Sequence, residues 1–176
     1  GTAWQGLTGP CAILSGSCST ATRGQVDHHK AAHPSLEVTA EAVMAGEVTA
    51  PDLAEFILGH GAALPLVYSS ADPAVVKAAQ ERFGREAVAS AIESRFPDTA
   101  RRRVAGGVTR LITAGGETSG AVVEGLGVDA LEIGPEIDPG VPALQVTGRP
   151  LTLALKSGNF GAPDFFEKAA RILAGA

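Results

Sequence analysis

Short apolar runs punctuate the chain, and several of them end in glycine or hydroxyl residues. The first is 11-CAILSG-16, and 64-LPLVYSS-70 and 108-VTRLITAGG-116 have a similar composition. Runs of this length, bounded by turn residues, are typical of buried β-strands. The predicted strands are 11–16, 35–39, 64–70, 108–116, 129–134, 143–148 and 150–158.

Longer stretches with a helical pattern separate many of these strands. Ser17 or Ser19 can cap the first helix, and Thr39 and Thr49 occupy N-cap positions before the next two. Gly84 is a break within the long stretch after residue 72, and Pro97 is expected to end that helix. The predicted helices are 19–33, 39–45, 51–59, 72–96, 98–107, 118–128 and 163–175.

The order strand, loop, helix recurs along the chain and indicates the fold class. Such alternation favours a largely parallel sheet that is covered by helices. We therefore predict an α/β fold, a three-layer sandwich with a mostly parallel central sheet. The consecutive strands near the C-terminus are expected to add antiparallel pairs at one edge.

The chain is expected to hold one domain, residues 11–176. Residues 1–10 are linker-like, and 134-GPEIDPGVP-142 is the other linker candidate because it is rich in turn residues. The first residues lack an initiator Met, so we expect a domain taken from a longer protein.

Composition and charge narrow the classes of partner. The formal net charge is −5 and the pI is about 5.3, which argues against nucleic acid or an anionic membrane, since both reward a basic surface. Cys11 and Cys18 are too few for a secreted disulfide framework and are expected to be reduced thiols. No signal segment and no apolar run near the ~20 residues of a membrane span are visible. We expect a cytoplasmic protein.

Three loops share one design: 14-LSGSCSTAT-22, 113-TAGGETSGAV-122 and 155-LKSGNFGAPD-164. Each follows an apolar strand and places glycine beside hydroxyl or amide side chains. In an open parallel sheet, such loops gather at the carboxyl ends of the strands, where ligands bind. Glycine admits a ligand close to the backbone, and the amides of a following helix attract phosphate. Each loop alone is also explained by an ordinary capped turn, and none matches a P-loop or GxGxxG fingerprint.

Two charged residues in these loops have alternative roles. Lys156 ends a strand, where it either pairs with a phosphate or is a surface lysine. Glu117 begins a helix, where it either stabilises the helix dipole or contacts Mg²⁺ together with phosphate.

The segment 27-DHHKAAH-33 places two histidines at a spacing that can bind a metal. His29 and His33 are four residues apart and lie on one helix face. No HExxH motif and no third ligand in register accompany them, and the helix has a solvated pattern. We therefore predict no metal site in the protein itself.

Four motifs carry a resemblance to a known family. They are GSCST at 16–20, AGGETSGAVVEGLGV at 114–128, IGPEIDPGVP at 133–142 and LALKSGNFGAPDFF at 153–166. Together they resemble the C-terminal, nucleotide-binding domain of the four-carbon acid sugar kinases, and most closely the 3-oxo-tetronate kinases. The resemblance covers nearly the whole chain in order.

The resemblance implies ATP as ligand, with Mg²⁺, and transfer of its γ-phosphate to a hydroxyl of a four-carbon sugar acid. It implies that Ser17 contacts ATP and that Gly158 packs against the nucleotide. Gly115, Gly116, Glu117 and Thr118 would line the phosphates. Lys156 is a further candidate site residue, chosen for its position at the end of a strand and not implied by the resemblance.

One departure from the family limits what the chain can do. Family members carry an N-terminal half with an Asp-Asp-x-Thr-Gly motif that supplies most of the sugar-acid site, and no such motif occurs here. We expect this chain alone to be inactive as a kinase. The alternative is a non-catalytic module, of the kind labelled as a type III effector, that binds another anion or a protein at the same edge. Whether the protein is a homo-oligomer stays open.

Overall fold

The structure, a computed structural model, describes residues 3–69 and 71–176. A single sheet runs through the molecule in the strand order β2-β3-β1-β4-β7-β6-β5. The strands are β1 (Cys11–Ser15), β2 (Ser35–Glu37), β3 (Leu66–Tyr68), β4 (Arg110–Ala114), β5 (Leu131–Asp138), β6 (Val141–Val146) and β7 (Thr152–Lys156).

Helices cover the sheet and follow the predicted caps closely. Ser19, Thr39 and Thr49 each accept a hydrogen bond from a backbone amide of the helix they precede. The helices are α1 (Thr20–Lys30), α2 (Ala40–Met44), α3 (Ala50–Gly59), α4 (Pro73–Phe83), α5 (Arg85–Ala105), α6 (Gly116–Gly125) and α7 (Phe165–Leu173). Among the described residues, no helix is both long and apolar enough to cross a membrane.

The pairing of strands confirms the predicted fold class. β2, β3, β1, β4 and β7 pair with one another in parallel, whereas β6 is antiparallel to both β7 and β5 at the edge near the C-terminus. Side chains alternate across the sheet, so that Ala12 and Leu14 enter one apolar cluster and Cys11 and Ile13 enter the other. The first cluster includes residues of α2, α3, α5 and α6, and the second includes residues of α1 and α7. The result is the predicted three-layer sandwich.

The prediction that Pro97 ends a helix is wrong, because α5 continues through Pro97 to Ala105. The proline removes one backbone donor, but buried Phe96 and Ala100 on either side of it anchor the helix in the core. A Cβ added at Gly125 of α6 would lie 2.9 Å from Pro97 Cβ. The proline ring therefore packs into the space that a glycine leaves, and tertiary packing overrides the local signal.

The prediction that the turn-rich segment 134–142 is a linker is also wrong. Its residues belong to the β5–β6 hairpin, and two register shifts in β5 accommodate Pro135 and its neighbours. At the turn, the Gly140 amide donates to Glu136 Oε1 over 2.9 Å.

The residues before β1 lie along the domain. Trp4 Nε1 donates to the Ile172 carbonyl over 2.8 Å, and the Leu7 amide donates to the Leu173 carbonyl over 2.8 Å. The segment is therefore held against the end of α7.

Candidate functional site

Three loops meet at one edge of the sheet, as their shared design predicted. β1, β4 and β7 are adjacent and parallel, so the loops that follow them leave the sheet side by side. Backbone hydrogen bonds continue the pairing past the strands: the Gly16 amide donates to the Ala114 carbonyl over 2.9 Å, and the Gly115 amide donates to the Lys156 carbonyl over 2.8 Å.

The carbonyl of Gly158 ties the third loop to the first. It accepts hydrogen bonds from Thr22 Oγ1 over 2.9 Å and from the hydroxyl of Ser19. A Cβ added at Gly158 would collide with the Ser17 hydroxyl oxygen. Only glycine lets the two loops approach this closely, which gives Gly158 a packing role against Ser17.

The loop after β4 packs against the loop after β1 just as closely. A Cβ added at Gly16 would collide with the hydroxyl of Thr118, whose side chain is buried. Gly115 has a left-handed φ of 107°, and a Cβ there would lie 3.1 Å from the Ser17 nitrogen. These glycines are needed for contact between the loops, independently of any ligand.

Helix α6 begins inside this edge, at Gly116, two residues earlier than predicted. Its N-cap, Gly115, has no side chain that could cap the helix. The first amides of a helix have no intrahelical acceptor, so those of Gly116, Glu117 and Thr118 are available to a ligand. A Cβ at Gly116 would meet nothing within 4 Å, so the space before this helix end is open.

An open cavity of about 330 Å³ lies over this helix end. Ser17, Gly115, Gly116, Glu117 and Thr118, all predicted site residues, line it. α4 and α5 supply much of the remaining wall, which sequence reasoning missed. Its apolar part includes Val76, Val88, Ile92 and Phe96. These side chains have an ordinary helical pattern, so nothing in the sequence distinguishes them from core residues.

Glu93 of α5 is the missed residue with the clearest chemistry. A hydrogen bond with Glu117, and secondarily burial, raises the pKa of the Glu93 carboxyl. Both side chains line the cavity. Two acidic side chains therefore lie together beside the open end of α6.

Lys156 lies beneath the edge rather than on the surface, so the surface-lysine interpretation is wrong. Its side chain is fully buried. The ammonium donates to Thr22 Oγ1 over 2.9 Å and to the carbonyls of Ser157 and Gly158 over 3.1 Å and 3.2 Å. Burial lowers its pKa from 10.5 to about 8. Within the described part of the chain, no carboxylate forms an ion pair with it.

The two cysteines differ in environment. Cys11 is buried in β1, and burial raises the pKa of its thiol to about 12, so it stays protonated. Cys18 is half-buried and lines the cavity. Both are free thiols.

Comparison with known proteins now identifies the domain. Residues 12–166 match the family described as the nucleotide-binding C-terminal domain. The chain belongs to this family. The loops and the open helix end described above are therefore those of a nucleotide-binding C-terminal domain.

Curated relatives share much of the sequence. A 3-oxo-tetronate kinase of Brucella melitensis is 49% identical over 168 residues, and one of Cupriavidus necator is 45% identical over 171 residues. The matches cover 94% and 96% of this chain but 38% and 39% of those relatives. The chain thus spans about two fifths of their length.

A solved structure shares the fold over nearly the whole chain. A Haemophilus influenzae protein superposes with a TM-score of 0.93 at 38% identity, over 97% of this chain and 42% of its own. A Salmonella typhimurium protein superposes with a TM-score of 0.88, also at 38% identity. The same fold therefore occurs within longer chains.

Proposed function

We propose that this chain is the ATP-binding domain of a kinase that phosphorylates a four-carbon sugar acid, with 3-oxo-tetronate as the first substrate to test. The names of its curated relatives support the reaction, and the family supports the nucleotide. The proposed ATP site is the edge formed by Ser17, Gly115–Thr118 and Gly158, with Lys156 beneath it.

The buried ammonium of Lys156 is the observation that carries the proposal. A buried charge is costly unless an opposite charge or several hydrogen bonds compensate it. Here uncharged oxygens surround the ammonium, and the carbonyls of Ser157 and Gly158 belong to the loop at the ligand edge. A bound phosphate would supply the missing negative charge. Lys156 thus acts on the phosphate through its electric field, since its hydrogen-bond donors are already engaged.

The amides of Gly116, Glu117 and Thr118 would hold phosphate oxygens directly. The Thr118 hydroxyl lies against Gly16 and its side chain is buried, so we assign its contribution to the amide. Ser17 faces the same cavity from the first loop.

Glu117 and Glu93 fit a role in holding Mg²⁺ with the nucleotide. Mg²⁺ prefers carboxylate, phosphate and water oxygens. A divalent cation between the two carboxyl groups and the phosphates would offset the repulsion between these acidic groups. Its contribution would be to neutralise phosphate charge as the γ-phosphate transfers.

The remaining part of the protein would supply the sugar-acid site. Phosphoryl transfer depends on holding donor, acceptor and cation in line. Because the chain spans about two fifths of the relatives' length, we infer that it binds nucleotide but does not phosphorylate the acid alone.

This is tested by measuring ATP binding and ATP-dependent phosphorylation of 3-oxo-tetronate, both for this chain and for the protein extended by its preceding half. We expect the chain to bind ATP without turnover and the extended protein to phosphorylate the acid. Phosphorylation of the acid by the chain alone would contradict the inference that the remaining part of the protein supplies the sugar-acid site. An extended protein that binds ATP yet transfers phosphate to no sugar acid would favour the non-catalytic module.

A further inference from the structure

A histidine cluster at the C-terminal end of α1 departs from what its sequence pattern predicted: α1 ends at Lys30, so His33 lies beyond the helix. His29 is only 1% exposed and His33 is half-buried, so the expected solvated pair is wrong. Their rings stack with centroids 4.2 Å apart, and Glu167 of α7 joins them, with its Oε1 2.9 Å from His33 Nε2. One ligand-capable atom from each of His29, His33 and Glu167 lies within 4.8 Å of the others.

Each histidine has one ring nitrogen held by a backbone carbonyl. His29 Nε2 is 2.8 Å from the Leu64 carbonyl, and His33 Nδ1 is 3.1 Å from the Ala63 carbonyl. A carbonyl only accepts, so these two nitrogens carry protons. Metal-binding histidines commonly have this arrangement, in which a backbone carbonyl fixes the ring and its tautomer while the other nitrogen binds the ion.

The other two ring nitrogens are the ones left for a ligand. His29 Nδ1 is buried and has no hydrogen-bond partner among the described residues. His33 Nε2 lies 2.9 Å from Glu167 Oε1, so the carboxylate is already beside this nitrogen.

We propose that His29, His33 and Glu167 form a binding site for a divalent transition-metal ion, with Zn²⁺ as the probe. Two imidazoles and one carboxylate suit Zn²⁺, Co²⁺ or Ni²⁺ rather than Mg²⁺, which prefers oxygen ligands. The ion would lie between His33 Nε2 and Glu167 Oε1 in place of their direct contact. Ligands of a tetrahedral zinc are about 3.4 Å apart, so the side chains would close in by about an ångström.

The metal site could not be predicted from the sequence because its third ligand is distant along the chain. Glu167 follows His33 by 134 positions, and only the packing of α7 beside α1 brings them together. Phe166, the neighbour of Glu167, fixes this packing, because its ring meets that of His29 edge-on at 5.6 Å.

A metal ion here would join two helices that flank the third loop of the nucleotide edge. From α1, Gln25 donates to the carbonyls of Phe160 and Gly161, each over 3.0 Å. α7 begins at Phe165, directly after that loop. Bound metal is therefore expected to stabilise the fold and to rigidify this loop.

Calorimetric titration of the chain with Zn²⁺, and with Mg²⁺ in parallel, tests the site. We expect one Zn²⁺ per chain, a rise in Tm on binding, and no comparable binding of Mg²⁺. His33→Ala and Glu167→Gln should each weaken Zn²⁺ binding about tenfold or more and reduce the rise in Tm. Both residues are only partly buried, so these variants are expected to fold.

His60→Ala is the matched control, because His60 is an exposed histidine at the end of α3. This variant should bind Zn²⁺ as the wild type does. Equal affinity for the wild type, His33→Ala and Glu167→Gln would overturn the proposal, and so would loss of binding in His60→Ala. Absence of Zn²⁺ binding to the wild type would overturn it as well.

Discussion

At the scale of single residues, Lys156 shows how the surroundings set the role of a side chain. A lysine at a strand end is common on protein surfaces, and its burial here follows from the parallel packing of β7 beside β4. Three oxygens satisfy its donors, yet none of them neutralises its charge. In the proposed site, a phosphate bound at the glycine loop would supply the opposite charge.

Replacing Lys156 by Met is expected to weaken ATP binding about tenfold, which corresponds to the loss of one charge-assisted interaction. In the wild type, affinity should fall as pH rises through about 8, the pKa of the buried ammonium, because the charge is lost. Stability should change in the opposite direction. Between pH of about 8 and 10.5 the unfolded chain holds the proton that the folded chain releases, so the free energy of unfolding rises with pH.

Both pH dependences should disappear in Lys156→Met when ATP titrations and urea denaturation are repeated across this range. Lys77→Met is the control, since Lys77 is exposed on α4. A wild type whose ATP affinity is constant from pH 7 to about 9.5 would argue against a role for the ammonium.

Gly116→Val tests the amides at the start of α6. A side chain at residue 116 meets nothing within 4 Å, so the fold should survive, but the branched group would stand before the free amides. We expect ATP affinity to fall below detection while Tm changes little. Gly120→Val, in the same helix and with equally open surroundings, should keep ATP binding. Unchanged affinity in Gly116→Val would remove these amides from the site.

At the scale of elements, the parts that local chemistry specifies could be predicted and the long-range parts could not. The helix caps at Ser19, Thr39 and Thr49 and the glycine loops after β1, β4 and β7 follow from side chains near in sequence. The course of α5 through Pro97 does not, because it depends on packing against Gly125 of α6. The apolar cavity wall and Glu93 were missed for the same reason. The β5–β6 hairpin was missed because its strands contain turn residues, which two register shifts in the pairing accommodate.

Two glycine substitutions should change stability in opposite directions, because one glycine lies in the contact between the β1 loop and α6 and the other has open surroundings. Gly16→Ala forces its Cβ against the Thr118 hydroxyl, and we expect it to destabilise the protein by about 1–3 kcal/mol and to weaken ATP binding. Gly24→Ala lies within α1 with nothing within 4 Å, so it should stabilise the protein by about 0.5–1 kcal/mol. Urea denaturation measures both values. If Gly16→Ala is as stable as the wild type, the loop and the helix are not packed as described.

At the scale of the whole molecule, the domain is one sheet whose proposed ligand edge lies where its parallel strands end. This placement is general for open parallel sheets, which is why the three loops pointed to it before their contacts were known. The proposed sugar acid could not be tested at this scale, because the chain spans only about two fifths of the relatives' length. The acidic net charge of −5 is compatible with an anionic ligand because Lys156 and the α6 amides act locally.

The most direct test of the account is the crystal structure of the protein, with its preceding half present, bound to a non-hydrolysable ATP analogue and Mg²⁺. We expect the phosphates to lie between residues 16–19, 115–118 and 156–159, with amides of α6 donating to them and Glu117 near the cation. Phosphates bound elsewhere, or an empty edge at saturating analogue, would contradict the central claim.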